Sequence, residues 1–326
     1  MNNAIGGYFD FDTSGCSTLY EDAIGFNSAR SAFSWMLGER RIKRLFLPEF
    51  NCPVMLDVAE KLGVQVDLYG VDDAFLPLGL GDLPVNAWLL YVNYFGLQDC
   101  FVAGELRKKY AGRLIIDNAQ ALYSPPLPRV PTLYSPRKFM GIPDGGWLVD
   151  RDLSGRPPES GRSSHRFAAL LGRVEDGPEI HYREFLSVEE SIAREGVKGM
   201  SKLTASLIAR MDLQSAAERR RDNFAALHGA LQGINVFNTE RNQAQGGPLA
   251  YPLLLEDEAL ASKLRDMLRE RRIYVPYYWP GLSTVRARSL SQRLLPLPID
   301  QRYGANDMAA IICEVQHALA KCRGEQ

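Results

Sequence analysis

Between Arg44 and Ile116 short apolar runs take turns with amphipathic ones, and this alternation restricts the fold more than any other feature of the chain. The apolar runs are Leu45-Phe46-Leu47, Val64 to Leu68, Trp88 to Val92 and Leu114 to Ile116. Pro53 to Leu62 and Glu105 to Tyr110 lie between them. Strand, helix, strand, repeated, predicts a mostly parallel α/β sheet with helices packed on it. The local punctuation agrees: Pro53 suits a first helical position and Gly63 the residue after a helix end. Upstream, Asn27 or Ser28 can cap a helix that runs through Ala32, Phe33 and Met36 and stops at Gly38.

At 326 residues and 46% hydrophobic composition, the chain can bury a large core and a smaller one. The expected division is 1–205 for a large domain and 206–326 for a smaller α+β domain. After Asp150 the composition turns loop-like around Ser154 to Gly161, and charged helical stretches follow at Glu184 to Arg194 and Met200 to Arg210. Ser215 to Leu231 reads as a long amphipathic helix, with Arg219, Arg220 and Arg221 on a solvated face. The remainder predicts a strand at Leu249 to Leu254, a helix from Asp257 to Arg271 and a last helix from Asn306 to Lys321. The aromatic run Tyr277-Tyr278-Trp279 is either substrate wall or plain packing. Near the start, Tyr8 to Asp12 alternates like a short strand.

Several function classes lose support. A net charge of -1 gives no broad attraction to nucleic acid or an anionic membrane. No Gly-x-Gly-x-x-Gly follows the first strand, and no loop ends in Gly-Lys-Ser/Thr. Cys16, Cys52, Cys100, Cys313 and Cys322 are odd in number, and His165, His181, His228 and His317 are scattered, so neither a disulfide framework nor a metal site is expected. Reduced thiols, no leader-like N-terminus and no bilayer-length apolar run make the cytoplasm the expected compartment.

Two residues carry candidate chemistry. Lys138 lies in Ser135-Pro136-Arg137-Lys138-Phe139, ahead of the pair Gly145-Gly146, with apolar neighbours that predict partial burial. A desolvated lysine has a lowered pKa and can attack carbonyls; a solvated surface lysine is the alternative. Asp117 ends the apolar run Leu114-Ile115-Ile116, where open α/β sheets bind ligands; a simple turn cap is its alternative. A carboxylate opposite a ring nitrogen, with a lysine on the ring's aldehyde, is the pyridoxal phosphate arrangement. Ser28 and Arg30, at a helix start, offer free N–H groups and a cation to a phosphate, or are just an ordinary cap and a surface arginine. Asn93 either orients a ligand or forms a buried turn.

In their order along the chain, these pieces resemble the DegT/StrS-type aminotransferases, pyridoxal-phosphate enzymes of fold type I, many of which act on keto-sugar nucleotides. The resemblance rests on Asn27-Ser28-Ala29-Arg30-Ser31-Ala32, Leu47-Pro48-Glu49-Phe50-Asn51-Cys52, Val92-Asn93-Tyr94-Phe95-Gly96, Ile116-Asp117-Asn118-Ala119-Gln120, Ser135-Pro136-Arg137-Lys138 with Gly145-Gly146, and Leu295-Pro296-Leu297-Pro298-Ile299. It implies that Lys138 is the Schiff-base lysine, Asp117 the partner of the pyridine nitrogen, Gln120 the partner of the ring hydroxyl, and Ala119 packing on one ring face. Ser28, Ala29 and Arg30 fall on the phosphate loop, and Ser135 on a phosphate-binding serine that here stands nearer the lysine. Cys52 replaces an aromatic stacker, which leaves the second ring face to Phe50 or Tyr94. Where the family's partner subunit contributes an Asn-x-Arg-Met segment, this chain has Val197-Lys198-Gly199-Met200, with Lys198 as the remaining cation. The implied activity is transfer of an amino group from an amino-acid donor such as glutamate to a keto-sugar or related carbonyl acceptor, in a homodimer. An eliminating or dehydrating pyridoxal-phosphate enzyme, or a non-catalytic binding relative on the same fold, is the alternative.

Overall fold

The computed structural model describes residues 19–153, 155, 157, 159–237 and 246–324. The stretch expected as a strand at Tyr8 to Asp12 lies outside them, as does Cys16. The main strands are β1 (Ile24–Phe26), β2 (Arg44–Pro48), β3 (Gln65–Val71), β4 (Pro77–Leu78), β5 (Ala87–Val92), β6 (Leu114–Asn118), β7 (Thr132–Tyr134) and β8 (Gly146–Val149). They form one eight-stranded sheet in the order β1-β8-β7-β6-β5-β2-β3-β4. From β3 through β2, β5 and β6 to β7 the strands are parallel, while β4, β8 and β1 pair antiparallel at the margins. The central strand β6 is buried at every residue, which is why its sequence reads as a continuous apolar run rather than an alternation.

Helices cover the sheet as the periodicity predicts, with one difference in how a helix ends. α1 (Ala29–Glu39) is capped by Ser28, whose side chain accepts from the Ser31 N–H, and α2 (Pro53–Lys61) begins on Pro53. α2 stops as expected: Gly63 takes φ +68°, Gly63 N–H reaches Glu60 O and Val64 N–H reaches Ala59 O. α1 does not stop at Gly38. It runs to Glu39, and Arg41 adopts the left-handed conformation, with Arg41 N–H on Gly38 O and Ile42 N–H on Leu37 O. Both ends have the same doubly bonded geometry; in α1 the buried pair Leu37 and Ile42 fixes where the chain reverses, so a non-glycine residue tolerates the turn.

A helical run at 99–110, made of α3 (Asp99–Phe101), a π-helical turn and α4 (Arg107–Tyr110), joins β5 to β6. Beyond β8 come α5 (Ala168–Asp176), α6 (Tyr182–Glu195), α7 (Lys202–Ile208) and α8 (Leu213–Leu231). The C-terminal part pairs β9 (Tyr251–Leu254) antiparallel with β10 (Leu294–Leu297) and packs α9 (Glu258–Glu270), α10 (Val285–Arg293) and α11 (Ala305–Gly324) around them. One apolar core continues from the main sheet into this part. The expectation of a solvated arginine face on α8 is corrected at one position: Arg220 is only 1% exposed, on the same stripe as Leu213, Ala217, Phe224 and Leu227.

Candidate active site

The sheet topology gathers the sequence motifs onto one edge. Strand β6 lies beside β7 in parallel, with Asn118 opposite Tyr134, so Asp117 and the turn after Tyr134 leave the sheet side by side. That turn is the short helix Pro136–Lys138. Because β8 is antiparallel to β7, its first residues return to the same edge, and β1 ends there too, with Phe26 opposite Gly146. Asn27 O accepts from Gly145 N–H at 2.9 Å, which closes the ring of segments. Strands β2 and β5 are neighbours although β3 lies on the far side of β2, so the chain reverses direction across the sheet between them. Open α/β sheets bind ligands outside the carboxyl ends of strands at such a reversal.

Asp117 is buried, and its Oδ1 accepts from the Ala119 N–H at 2.8 Å. Among the described residues no hydrogen bond reaches Oδ2. Burial raises the carboxyl's pKa, while the charge of Lys138 and the Ala119 N–H pull it down. The charge of Lys138 is thus felt at Asp117, across the gap between two strand ends. Lys138 itself is exposed, contrary to the half-buried lysine expected from its neighbours: Pro136 and Phe139 turn inward and leave the lysine outside. A buried carboxyl with an oxygen to spare fits a cationic ring N–H, and an open amine nearby fits an aldehyde on the same ring.

At the other end of the site, α1 begins with Ser28 as cap and Ala29 and Arg30 in its first turn. Helix starts favour anions through unpaired N–H groups and the helix dipole. Arg30 is half-buried and its Nε is buried without a partner. Gly146 lies so close to this start that a Cβ there would stand 2.1 Å from Ser28 C and 2.2 Å from Ala29 N. Asn27 donates to Glu195 Oε2 and to Gly196 O, both at 3.1 Å, so the end of α6 is seated beside the same turn.

The other residues read from the sequence have varied surroundings. Ala119 and Gln120 are buried, and Gln120 Oε1 accepts from the N–H of Phe95, which sits at φ 58° in the turn after β5. Asn93 is spent on that turn: its amide donates to Asp99 and Asn118 and accepts from Gln98 N–H, the turn-forming arrangement. Phe50 has no exposed surface; Phe75, Tyr94 and Trp279 enclose its ring, and Tyr94 Oη donates to its carbonyl at 2.6 Å. Neither ring offers a free face, because each is already packed in an aromatic cluster. Cys52 is a half-buried free thiol at the start of α2, and Ser135 is half-buried with its carbonyl on Lys138 N–H. Lys198 is held by Glu159 at 2.5 Å. In the aromatic run, Tyr278 stacks on Phe95 and Trp279, while Tyr277 is exposed and lies under Arg265.

Three residues near the lysine turn were given no place in the site by the sequence, Arg220 because it was expected on a solvated face. Asp144, wholly buried, accepts from Ser201 N–H, Ser201 Oγ and Thr204 Oγ1, and so ties the approach to Gly145-Gly146 to the start of α7. Arg220 and Gln301 both reach the Phe139 carbonyl. Asp144 had a signal, an acid directly before the glycine pair. Gln301 had none.

No family model matches the sequence, and no curated protein matches it. Solved structures do. The aminotransferase TlmJ from Streptoalloteichus hindustanus superposes with a TM-score of 0.65 at 16% identity, covering 93% of this chain and 87% of that one. The chain has the type-I fold of such aminotransferases. Spr1654 from Streptococcus pneumoniae, in its PLP form, gives 0.62 at 14% identity over 92% and 87% of the two chains. The sugar aminotransferase CalS13 from Micromonospora echinospora gives 0.60 at 18% identity over 91% and 87%. At these identities the likeness is one of architecture, and the reaction has to be argued from the residues at the sheet edge.

Proposed function

We propose that the chain is a pyridoxal-phosphate-dependent aminotransferase that moves an amino group from an amino-acid donor, glutamate in the simplest case, to a keto-sugar or related carbonyl acceptor. One observation carries the reading: a buried carboxyl with a spare oxygen and an open amine leave the ends of two neighbouring parallel strands, on one edge of the sheet. When bound, the coenzyme supplies an electron sink for the bond broken at the donor's α-carbon. Asp117 would keep the ring nitrogen protonated, and the ion pair would reverse the effect that burial alone has on the acid. Lys138 Nζ would hold the coenzyme through its aldehyde carbon and would be the base that takes the donor's α-proton. Its exposure leaves it within reach of an incoming substrate. The start of α1, with Ser28, Ala29 and Arg30, would hold the phosphate.

The acceptor class is supported by the resemblance and by the sugar aminotransferase of like fold. A homodimer is part of the same proposal. It is supported by apolar side chains left open on and between α5 and α6: Leu171 is 59% exposed, Val174 85% and Ile180 69%. Among the described residues no helix is long and apolar enough to cross a membrane.

Borohydride reduction of the protein mixed with pyridoxal phosphate tests the chemistry. The expected product is one coenzyme mass on the peptide containing Lys138, absent from Lys138→Ala. Fixation on another lysine, or none at all, would sink the assignment.

A further inference from the structure

The largest fully buried side chain in the described structure belongs to an arginine that contacts the residue following Lys138. Arg220 faces inward from α8; its hydrogen bonds all go to neutral acceptors, and the one carboxylate whose charge reaches it, Asp300, is itself paired with Arg302. Nη1 donates to Pro248 O and Leu249 O, both at 3.1 Å; Nε donates to Gln301 Oε1 at 3.0 Å; Nη2 donates to Phe139 O at 3.4 Å. The guanidinium carbon sits 4.7 Å from the centre of the Phe139 ring, and Tyr123 meets that ring edge-on from another side. Gln301 then closes the circuit, donating from Nε2 to the same Phe139 carbonyl at 2.8 Å. Thus the ring of Phe139 is covered by a cation and its carbonyl is held by two donors, all from residues far along the chain.

Burying a guanidinium that no carboxylate hydrogen-bonds is costly, and burial holds its pKa down despite the charge of Asp300; a core position on an amphipathic stripe would be filled more cheaply by leucine. A rigid fork that can grip several carbonyls at once and lie flat on a ring does what leucine cannot. We propose that Arg220, working with Gln301, is a positioning residue that fixes the direction of Lys138 by clamping Phe139 from the C-terminal part of the chain. It rests on the reading of Lys138 as the reactive amine. The turn's other anchors are its own bonds, Lys138 N–H to Ser135 O and Phe139 and Met140 N–H to Pro136 O, and the ion pair of Arg137 with Glu189 of α6 on the opposite side of the lysine. Without the clamp those bonds and the Arg137 pair remain possible, but Phe139 loses its ring cover and both donors to its carbonyl, so the direction of Lys138 relative to Asp117 is held from one side only.

The test uses the full chain and three variants: Arg220→Met, Arg220→Lys and Gln301→Ala. Gln301 is only partly buried, so its truncation keeps a folded protein available if an Arg220 variant fails. Hydrogen exchange at the amides of residues 138–140, read without coenzyme, is expected to quicken about tenfold in Gln301→Ala and in Arg220→Met while β6 is unchanged. Arg220→Lys, which keeps the charge but not the fork, should fall between them and the parent. Borohydride-trapped coenzyme on Lys138 should form about tenfold more slowly in the same order. Folded variants whose exchange at 138–140 and trapping rate both match the parent would overturn the proposal. If the parent itself traps nothing on Lys138, the functional reading fails, and the exchange result still decides whether Arg220 and Gln301 hold the turn.

Discussion

Replacing Gly146 by alanine should separate two segments that the structure holds in contact. The added Cβ would stand 2.1 Å from Ser28 C, 2.2 Å from Ala29 N and 2.4 Å from Ser28 O. All three atoms are backbone, so no side chain can swing aside. Reaching ordinary contact distance of about 3.5 Å requires the start of β8 and the start of α1 to part by about 1.4 Å. Overpacking of this kind costs about 3 kcal/mol, at the upper end of the usual range because both partners are main chain. In urea the midpoint should fall with the slope unchanged. The same displacement opens the helix start that we propose holds the phosphate, so affinity for pyridoxal phosphate should drop about tenfold while affinity for pyridoxal, which lacks the phosphate, changes little. Gly141→Ala is the control: the glycine is exposed, nothing lies within 4 Å of its would-be Cβ, and the change should stay within about 0.5 kcal/mol. If Gly146→Ala unfolds like the control and binds both compounds like the parent, the close approach of β8 to α1 does not exist in solution.

Two further expectations concern the acid and the open face. Burial makes Asp117 hold its proton more tightly in the folded chain than in the unfolded one. Without coenzyme, stability should therefore fall as pH climbs from the ordinary carboxylate range through the raised value. Asp117→Asn should remove that fall and be the more stable protein above the window, with no such advantage below it; urea titrations of both proteins from pH 4 to 8 check this, and parallel profiles would refute it. Val174→Glu places a charge on the open apolar surface of α5 and should shift a dimer toward monomers in sedimentation at micromolar concentration; an unchanged distribution would remove this face from the subunit contact.

Much of the site was legible because it follows strand ends. Asp117 could be placed from the apolar run before it, and the helix start at Ser28 from its capping pattern, since both signals are local. What stayed hidden depends on packing between distant segments. Phe50 reads as a candidate ring stacker until Phe75, Tyr94 and Trp279 close around it. Lys138 looks half-buried from its neighbours, yet the turn buries Pro136 and Phe139 and leaves the lysine out. Arg220 was partly readable: Leu213, Ala217, Phe224 and Leu227 mark a stripe at helical spacing, and position 220 falls on it. The expectation that arginines face solvent overrode that periodicity. The partners that make its burial tolerable, Phe139, Pro248 with Leu249, and Gln301, come from three separate places in the chain.

The pairing of β1 bears on how the protein is made. One side of this strand bonds to β8, and the other is covered by residues 198–200, with Asn27 N–H on Lys198 O and Met200 N–H on Gly25 O. Both neighbours lie more than a hundred residues further along the chain and are made that much later, and closing so long a loop is slow. The turn at Ser28 is therefore complete only once residues 146 and 198–200 have been made, and until then β1 presents both of its edges unpaired.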